Sequence, residues 1–464
     1  QQGLRVISVN IPYTSPPRPV NGVVVGGPFA STMTRELVYP SSFYERLQQL
    51  VPGYFILPDY NPRAPDPLRD YAQKLLTGIG MRERLSTYLM QEESWDLFAV
   101  VFMATDEAQH TFWHHMAASE EGTQDRYGNV IRSIYQRIDQ AVGTILNQAE
   151  GDNTGRETVV LLLSDHGAGP FYWMINLNRW LAEAGYLRFR TEGINPLRRW
   201  RANAISRIAQ AYRRYLPAQA RATIRARLGI QRFDRFKGEF ESALLTSSVA
   251  WEQTRAYALG AGGNIYINLA GREPAGVVAP GAEQERLCQE ISDALMTLSD
   301  PDTQRPVVAR VYRREELYNG PFLDQAPDLI IQWADYGYWG RGRYDSRTPV
   351  FEAQRRFDFS DQPLTGSHRP DGILIARGPG VRSGAQIEGA HLWDLAPTIL
   401  SLLGIAPPPD LDGQLLRDIL VEGEAERLEQ AALQPDAPEP GEASGFTPEE
   451  EEKISEHLRS LGYL

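Results

Sequence analysis

One cysteine, Cys288, stands in 464 residues. A disulfide framework within the chain and a cysteine-based zinc site are thereby excluded. Long apolar runs are missing too, since none approaches the roughly 20 residues of a membrane span. Positive charge is in deficit: the net charge of −12 excludes nucleic-acid binding as a property of the whole chain. No secretory signal stands at the start. The chain opens on Arg5 to Asn10, which reads as an interior strand, so protein is expected to be missing before Gln1. With the start read as cut, the missing leader leaves the location open, the cytoplasm slightly favoured. The length suits a large α/β domain with insertions, or two domains.

What is present is a series of short apolar runs that stop at polar, metal-capable residues. The stretch Thr158 to Gly169, TVVLLLSDHGAG, organises the rest. Val159 to Leu163 predicts a strand buried on both faces of a parallel sheet. Ligands of open α/β sheets sit just past such strand ends, where Asp165 and His166 stand. Alone, the pair reads equally well as a turn-capping Asp beside a surface His. Trp95 to Ala104 is a second such run, ending in TDEAQH. Asp106 and His110 are four apart, which a helical turn stacks on one face. His114 continues that ladder, yet it and His115 fit packing better and are left out. His368, in GSHRPDG directly before the strand-like ILIA, is placed to bond a ligand, although a lone His of this kind is more often structural. The amphipathic period of Tyr127 to Gln148 predicts a helix joining the two runs into a strand–helix–strand unit of a parallel sheet.

Helices are further predicted over Asp66–Glu92 and Glu283–Leu298, and strands over Val307–Tyr312 and Asp328–Gln332. Tyr336 to Phe359 reads as a long surface loop. In HLWDLAPTILSLLGI, Asp394 is placed to cap a helix and Gly404 to end it. Residues 193–233 contain no acidic residue and ten arginines. They read as a helical insertion packed by an apolar stripe, as a cap guiding an anionic substrate, or as a helix on an anionic membrane surface. Residues 421–445 read as an acidic flexible linker. Residues 446–464 read as a helix capped by Thr447 with Pro448 and Glu450.

Mixed Asp/His donors suit zinc or manganese better than calcium, and paired cations are a usual device for polarising a phosphoryl group. The pattern resembles the alkaline phosphatase superfamily, most closely its type I phosphodiesterase and nucleotide pyrophosphatase group and relatives described as predicted phosphohydrolases or phosphomutases. TDEAQH (105–110), SDHGAGPF (164–171), NLNRWLAEAGYL (176–187), TRAYALG (254–260), IYINLAGREP (265–274), APDLI (326–330), GSHRPDGILIARGPG (366–380), DLAPTILSLLGI (394–405) and DLDG (410–413) carry the resemblance in order.

The resemblance implies an α/β/α sandwich with a largely parallel central sheet in a catalytic domain over 1–420, with the basic insertion within 190–250. It implies two divalent cations, zinc favoured and manganese the alternative, acting on a phosphate-ester small molecule. Asp106, His110 and His368 would hold one ion, Asp165 and His166 the other. It also implies a further metal-binding Asp and a Ser or Thr nucleophile on an N-terminal strand and helix that this chain does not carry. The chain as given is therefore expected to be inactive unless Thr32 or Thr34 serves instead. The rival readings are a phosphomutase, and a non-catalytic relative that kept the metal shell. A sulfatase gains no support, because Cys288 lies in CQEIS. If the basic segment steers an anionic substrate, neutralising several of its arginines in the full-length protein raises KM and flattens its salt dependence while kcat is kept. An unchanged KM in steady-state assays would mark a merely solvated face, and lost liposome binding would mark a membrane-bound helix.

Overall fold

The computed structural model describes residues 3–27, 33–151, 157–190, 248–343, 348–352 and 362–432. The described residues divide into two compact units, residues up to 169 with 362–432, and residues 170–352. Residues 193–233, the terminal helix over 446–464, and Ser31 and Thr32 lie outside the described residues.

The first unit opens with β1 (Val6–Val9), β2 (Gly22–Val25), β3 (Val38–Tyr39), α1 (Phe43–Leu50) and α2 (Pro67–Glu92). It continues with β4 (Leu97–Val100), α3 (Ala104–Glu120), α4 (Val130–Glu150), β5 (Val160–Leu163) and β6 (Gly167–Pro170). One sheet has the order β3-β2-β1-β4, with β1 parallel to β2 and to β4, and β3 antiparallel to β2. The alternate residues Ile7, Val9, Val23 and Val25 bury one face of it with Leu85 and Leu89 of α2. Helix α2 starts where its sequence says it should: Asp66 accepts from the Arg69 amide, and Pro67 fills the first turn, whose amide needs no partner. Its opposite face packs Tyr71, Leu75 and Ile79 against Ala108 and Phe112 of α3 and Ile131 and Ile134 of α4.

The second unit contains β7 (Trp173–Asn176), α5 (Leu177–Glu183), β8 (Ala256–Ala258), β9 (Asn264–Ile267), α6 (Ala282–Met296), β10 (Val308–Arg313), α7 (Arg314–Leu317), β11 (Leu329–Trp333), β12 (Tyr338–Arg341) and β13 (Phe351–Glu352). An antiparallel sheet β10-β11-β9-β8 packs Ile265, Ile267, Leu329 and Ile331 with Leu287, Ile291 and Leu295 of α6. The stretch expected to be a surface loop instead builds a second sheet, in which β12 is parallel and β13 antiparallel to β7. Tyr338 and Arg341 are buried there because each has a polar partner, Asp300 for the phenol and Glu352 for the guanidinium. A polar composition had disguised two strands.

The chain returns to the first unit with β14 (Gly366–Arg369), β15 (Leu374–Arg377), α8 (Leu395–Leu402) and α9 (Glu424–Ala432). Here β14 pairs β6, while β15 pairs β5 antiparallel, Leu374 opposite Leu163. The expectation of a β5 buried on both faces of a parallel sheet is thus corrected. Among the described residues its partner is antiparallel, and the five sheets do not merge into one parallel array. Leu161, Leu374 and Ala376 pack on Leu416, Ile419 and Leu420, whereas Ile375 is 58% exposed. An all-apolar run states that a strand is buried somewhere, not which neighbours it has. Asp394 stands before α8, but its carboxylate accepts from the amides of His391 and Gln414 rather than from the first turn, and Gly404 ends the helix at φ 72°. The first part of the expected linker is α9, because Leu428 finds the apolar floor made by Leu416 and Ile419.

Leu428 tests that docking. Leu428→Ala is expected to lower the unfolding free energy by about 2–5 kcal/mol, as for other buried leucines, measured by urea denaturation. A loss within about 0.5 kcal/mol, usual for surface positions, would return residues 424–432 to the status of a linker.

Candidate metal centre

Helix α3 begins four residues after β4 ends, so the polar residues after the apolar run fall in its first turns. The i, i+4 spacing stacks Asp106 and His110, with Oδ1 of Asp106 3.2 Å from Nε2 of His110. The turn after β5 carries His166, whose Nε2 lies 3.8 Å from the same oxygen. Strand β14 carries His368, whose Nε2 lies 3.3 Å from it. Residues far apart in sequence thus meet at one carboxylate oxygen. The His166 and His368 rings stack at 3.7 Å between centroids, and Nε2 of His368 lies 2.9 Å from Nε2 of His110.

Two of the imidazoles are locked from behind. Nδ1 of His110 is 2.8 Å from the Gly366 carbonyl, and Nδ1 of His166 is 2.9 Å from the Gly167 carbonyl. A carbonyl accepts only, so each Nδ1 carries the proton and each Nε2 faces Asp106. That is the arrangement in which histidines bind metal ions. The donor atoms of Asp106, His166 and His368 all lie within 4.8 Å of one another. One carboxylate with imidazole Nε2 donors fits a zinc-type divalent cation.

Close approach of backbone makes the cluster possible. A Cβ at Gly366 would sit 2.3 Å from the Gln109 carbonyl oxygen, and one at Gly167 would sit 2.2 Å from that of Asp371. Neither position accepts a side chain without backbone movement.

The five residues singled out in the sequence are not equivalent. Asp106, His110, His166 and His368 converge. Asp165 does not join them: its side chain is 68% exposed, and its carboxylate reaches Nε2 of His166 at 3.6 Å. His166 stands between the two expected groups, its Nε2 3.6 Å from the Asp165 carboxylate and 3.8 Å from that of Asp106. His115, set aside as packing, bonds Asp125 at 2.7 Å.

Sequence reading missed Glu107, Tyr71 and Gln362. The Tyr71 hydroxyl donates to Glu107 Oε2, and Gln362 Nε2 lies 3.2 Å from the same oxygen. The signal for Glu107 was present, next to Asp106 and four before Thr111. Nothing local marked Gln362.

Charge at the cluster is strongly coupled. Burial alone would raise Asp106, but hydrogen bonds and charge from His110 and His368 outweigh it and hold the carboxyl far below its usual range. Burial likewise pulls His110 down, yet Asp106 and the Gly366 carbonyl raise it to about 8. Glu107 is pushed up, first by burial and then by the charge of Asp106.

The family model for type I phosphodiesterase / nucleotide pyrophosphatase matches residues 1–356. The chain belongs to that family. No curated protein and no solved structure matches the chain. The activity class is therefore a phosphodiesterase- or pyrophosphatase-type hydrolase of phosphate-ester small molecules. The match ends before His368, which the geometry alone brings to the cluster. Among the described residues, no helix is long and apolar enough to cross a membrane.

The raised pKa of His110 has a sign that can be checked in metal-free protein. Its folded value lies above the ordinary 6.5, so the pair's stabilisation is complete below about 6.5 and is lost as pH rises through about 8. Histidine NMR titration is expected to show one imidazole titrating near 8, and Asp106→Asn is expected to return it toward the ordinary value. A His110 titrating at or below 6.5 would contradict the coupling.

Proposed function

We propose that this chain is the metal-dependent catalytic part of a phosphodiesterase or nucleotide pyrophosphatase. The observation that carries the reading is the convergence of Asp106, His110, His166 and His368 at one carboxylate oxygen. In this reading Asp106, His166 and His368 hold a divalent cation, zinc before manganese, with His110 as a further donor. Asp165 serves a second cation that shares His166. Bound there, the cations supply charge neutralisation and polarisation of the phosphoryl group.

The chain's own residues orient that chemistry. Carbonyl bonds to Nδ1 fix the two imidazoles in the ligating tautomer, and helix α3 sets Asp106 and His110 at a fixed spacing. The covalent step of the proposal is attack by a Ser or Thr hydroxyl on phosphorus, which breaks the bond to the leaving ester oxygen and passes the hydroxyl proton to that leaving group; water then breaks the enzyme O–P bond, releasing the phosphate product and restoring the hydroxyl. The hydroxyls of Ser164 and Thr365 are committed elsewhere. Ser164 Oγ accepts from the Ile373 amide, while Thr365 Oγ1 donates to the His110 carbonyl and accepts from the His114 amide. We place the nucleophile outside the described residues. Product analysis distinguishes hydrolase from phosphomutase: the first releases free phosphate or nucleotide, the second a rearranged phosphate ester.

The test is zinc and manganese titration of the purified protein, with turnover of generic phosphate monoesters and diesters. His368→Ala is expected to weaken zinc by more than the 10–100-fold typical of outer-shell changes and to abolish turnover. Asp165→Ala is expected to leave the tighter ion in place. Equal zinc affinity in wild type and His368→Ala, or undiminished turnover after exhaustive chelation, would refute the proposal.

A further inference from the structure

Before strand β14 delivers His368, the chain runs along helix α3 and is bonded to it repeatedly. Gln362 stands at the start of this run, 8% exposed. Its amide nitrogen lies 3.0 Å from the Tyr71 hydroxyl, 3.2 Å from Glu107 Oε2 and 3.0 Å from Thr111 Oγ1. Two N–H donors therefore face three oxygens drawn from α2 and α3. Three residues on, the Thr365 amide donates to the His110 carbonyl at 2.6 Å. One further on, the Gly366 carbonyl accepts from His110 Nδ1 at 2.8 Å. His368 then meets Asp106 two residues later. Every contact in the series except the one to Tyr71 of α2 lands on the helix that bears Asp106 and His110.

We propose that Gln362, clasped by Tyr71, Glu107 and Thr111, is a positioning residue that sets His368 against Asp106. It touches neither cation nor substrate and acts through the backbone of 363–368. The proposal rests on the metal-site reading for its function, but the clasp itself is a property of the polypeptide. Three features support it. The clasp is buried, so its hydrogen bonds do not exchange with water. It joins α2 and α3 to the His368 segment at one point, so it fixes register as well as distance. Gly366, pressed against the Gln109 carbonyl, leaves little room to absorb an error in that register.

The test uses the 464-residue chain with labelled histidines. Gln362→Leu keeps side-chain bulk and removes both donors. The expected result in metal-free protein is a shift or broadening of the His368 and His110 ring signals, with His115 unmoved. His115 lies on the same helix but is held by Asp125, so it reports whether α3 itself remains intact. Zinc affinity, measured by chelator competition, is expected to fall 10–100-fold, as for other outer-shell changes. Glu107→Gln, which keeps an acceptor oxygen for Tyr71 and Gln362, is expected to leave His368 in place.

Unchanged His368 signals in Gln362→Leu would overturn the proposal, as would movement of His115 together with His110 and His368, which would reveal general loosening. Should the wild-type chain take up no zinc, the function proposed above fails, and the histidine spectra still decide the clasp.

Discussion

One oxygen of Asp106 is the point on which the described site depends. Three imidazole nitrogens approach it at 3.2, 3.3 and 3.8 Å, from a helix, a strand and a turn of the same unit. A half-buried carboxylate in that position demands positive charge, and unpaired it would be costly. A proton on His110 and a divalent cation meet the same demand. That is why His110 is drawn up to about 8 although burial works against it. In the proposed reading a cation bound there at neutral pH displaces that proton, which ties metal affinity to pH.

The carboxylate is well placed because α3 is well placed. Phe112, fully buried, and Ala108 anchor its inner face against α2 and α4. The neighbouring positions Asp106 and His110 turn toward His166, in the turn after β5, and His368 of β14. A third set, Glu107 and Thr111, turns toward Tyr71 and Gln362. One short helix thus divides packing, ligation and anchoring among adjacent residues, as a 3.6-residue period allows.

Much of this was legible in the sequence where the physics is local. Asp106 and His110 could be paired because four residues is one helical turn, and the ends of α2, α4 and α6 fall within a few residues of their sequence signals. His368 stood out by its glycine-bracketed place before a strand, but a structural His was the commoner reading there, and the family resemblance supplied the ligand role. What failed was non-local. The apolar run of β5 carries no record of an antiparallel partner more than two hundred positions away. The strands β12 and β13 were hidden by polar residues whose burial depends on Asp300 and Glu352. Asp165 looked equivalent to His166 in the dipeptide, yet its side chain is 68% exposed where that of His166 is 22% exposed. Gln362 was invisible for the same reason: its three partners are separated from it by more than two hundred residues.

These failures share a direction. Residues that touch the cluster announce themselves by chemical type, since few side chains offer a nitrogen or carboxylate donor. Residues that hold the cluster in shape do so through ordinary amides, hydroxyls and carbonyls, and any surface position supplies those. The same asymmetry appears in the family match, which covers 1–356 and stops short of His368. The matched range contains the carboxylate and the helix that bears it. The segment of 362–369 that completes the arrangement is held by its contacts: the Gly366 carbonyl behind His110, the Thr365 amide on the helix, and the Gln362 amide among three oxygens. A ligand set of this kind is specified twice, once by residue type and once by the backbone that delivers it, and the second specification limits how precisely the first can act.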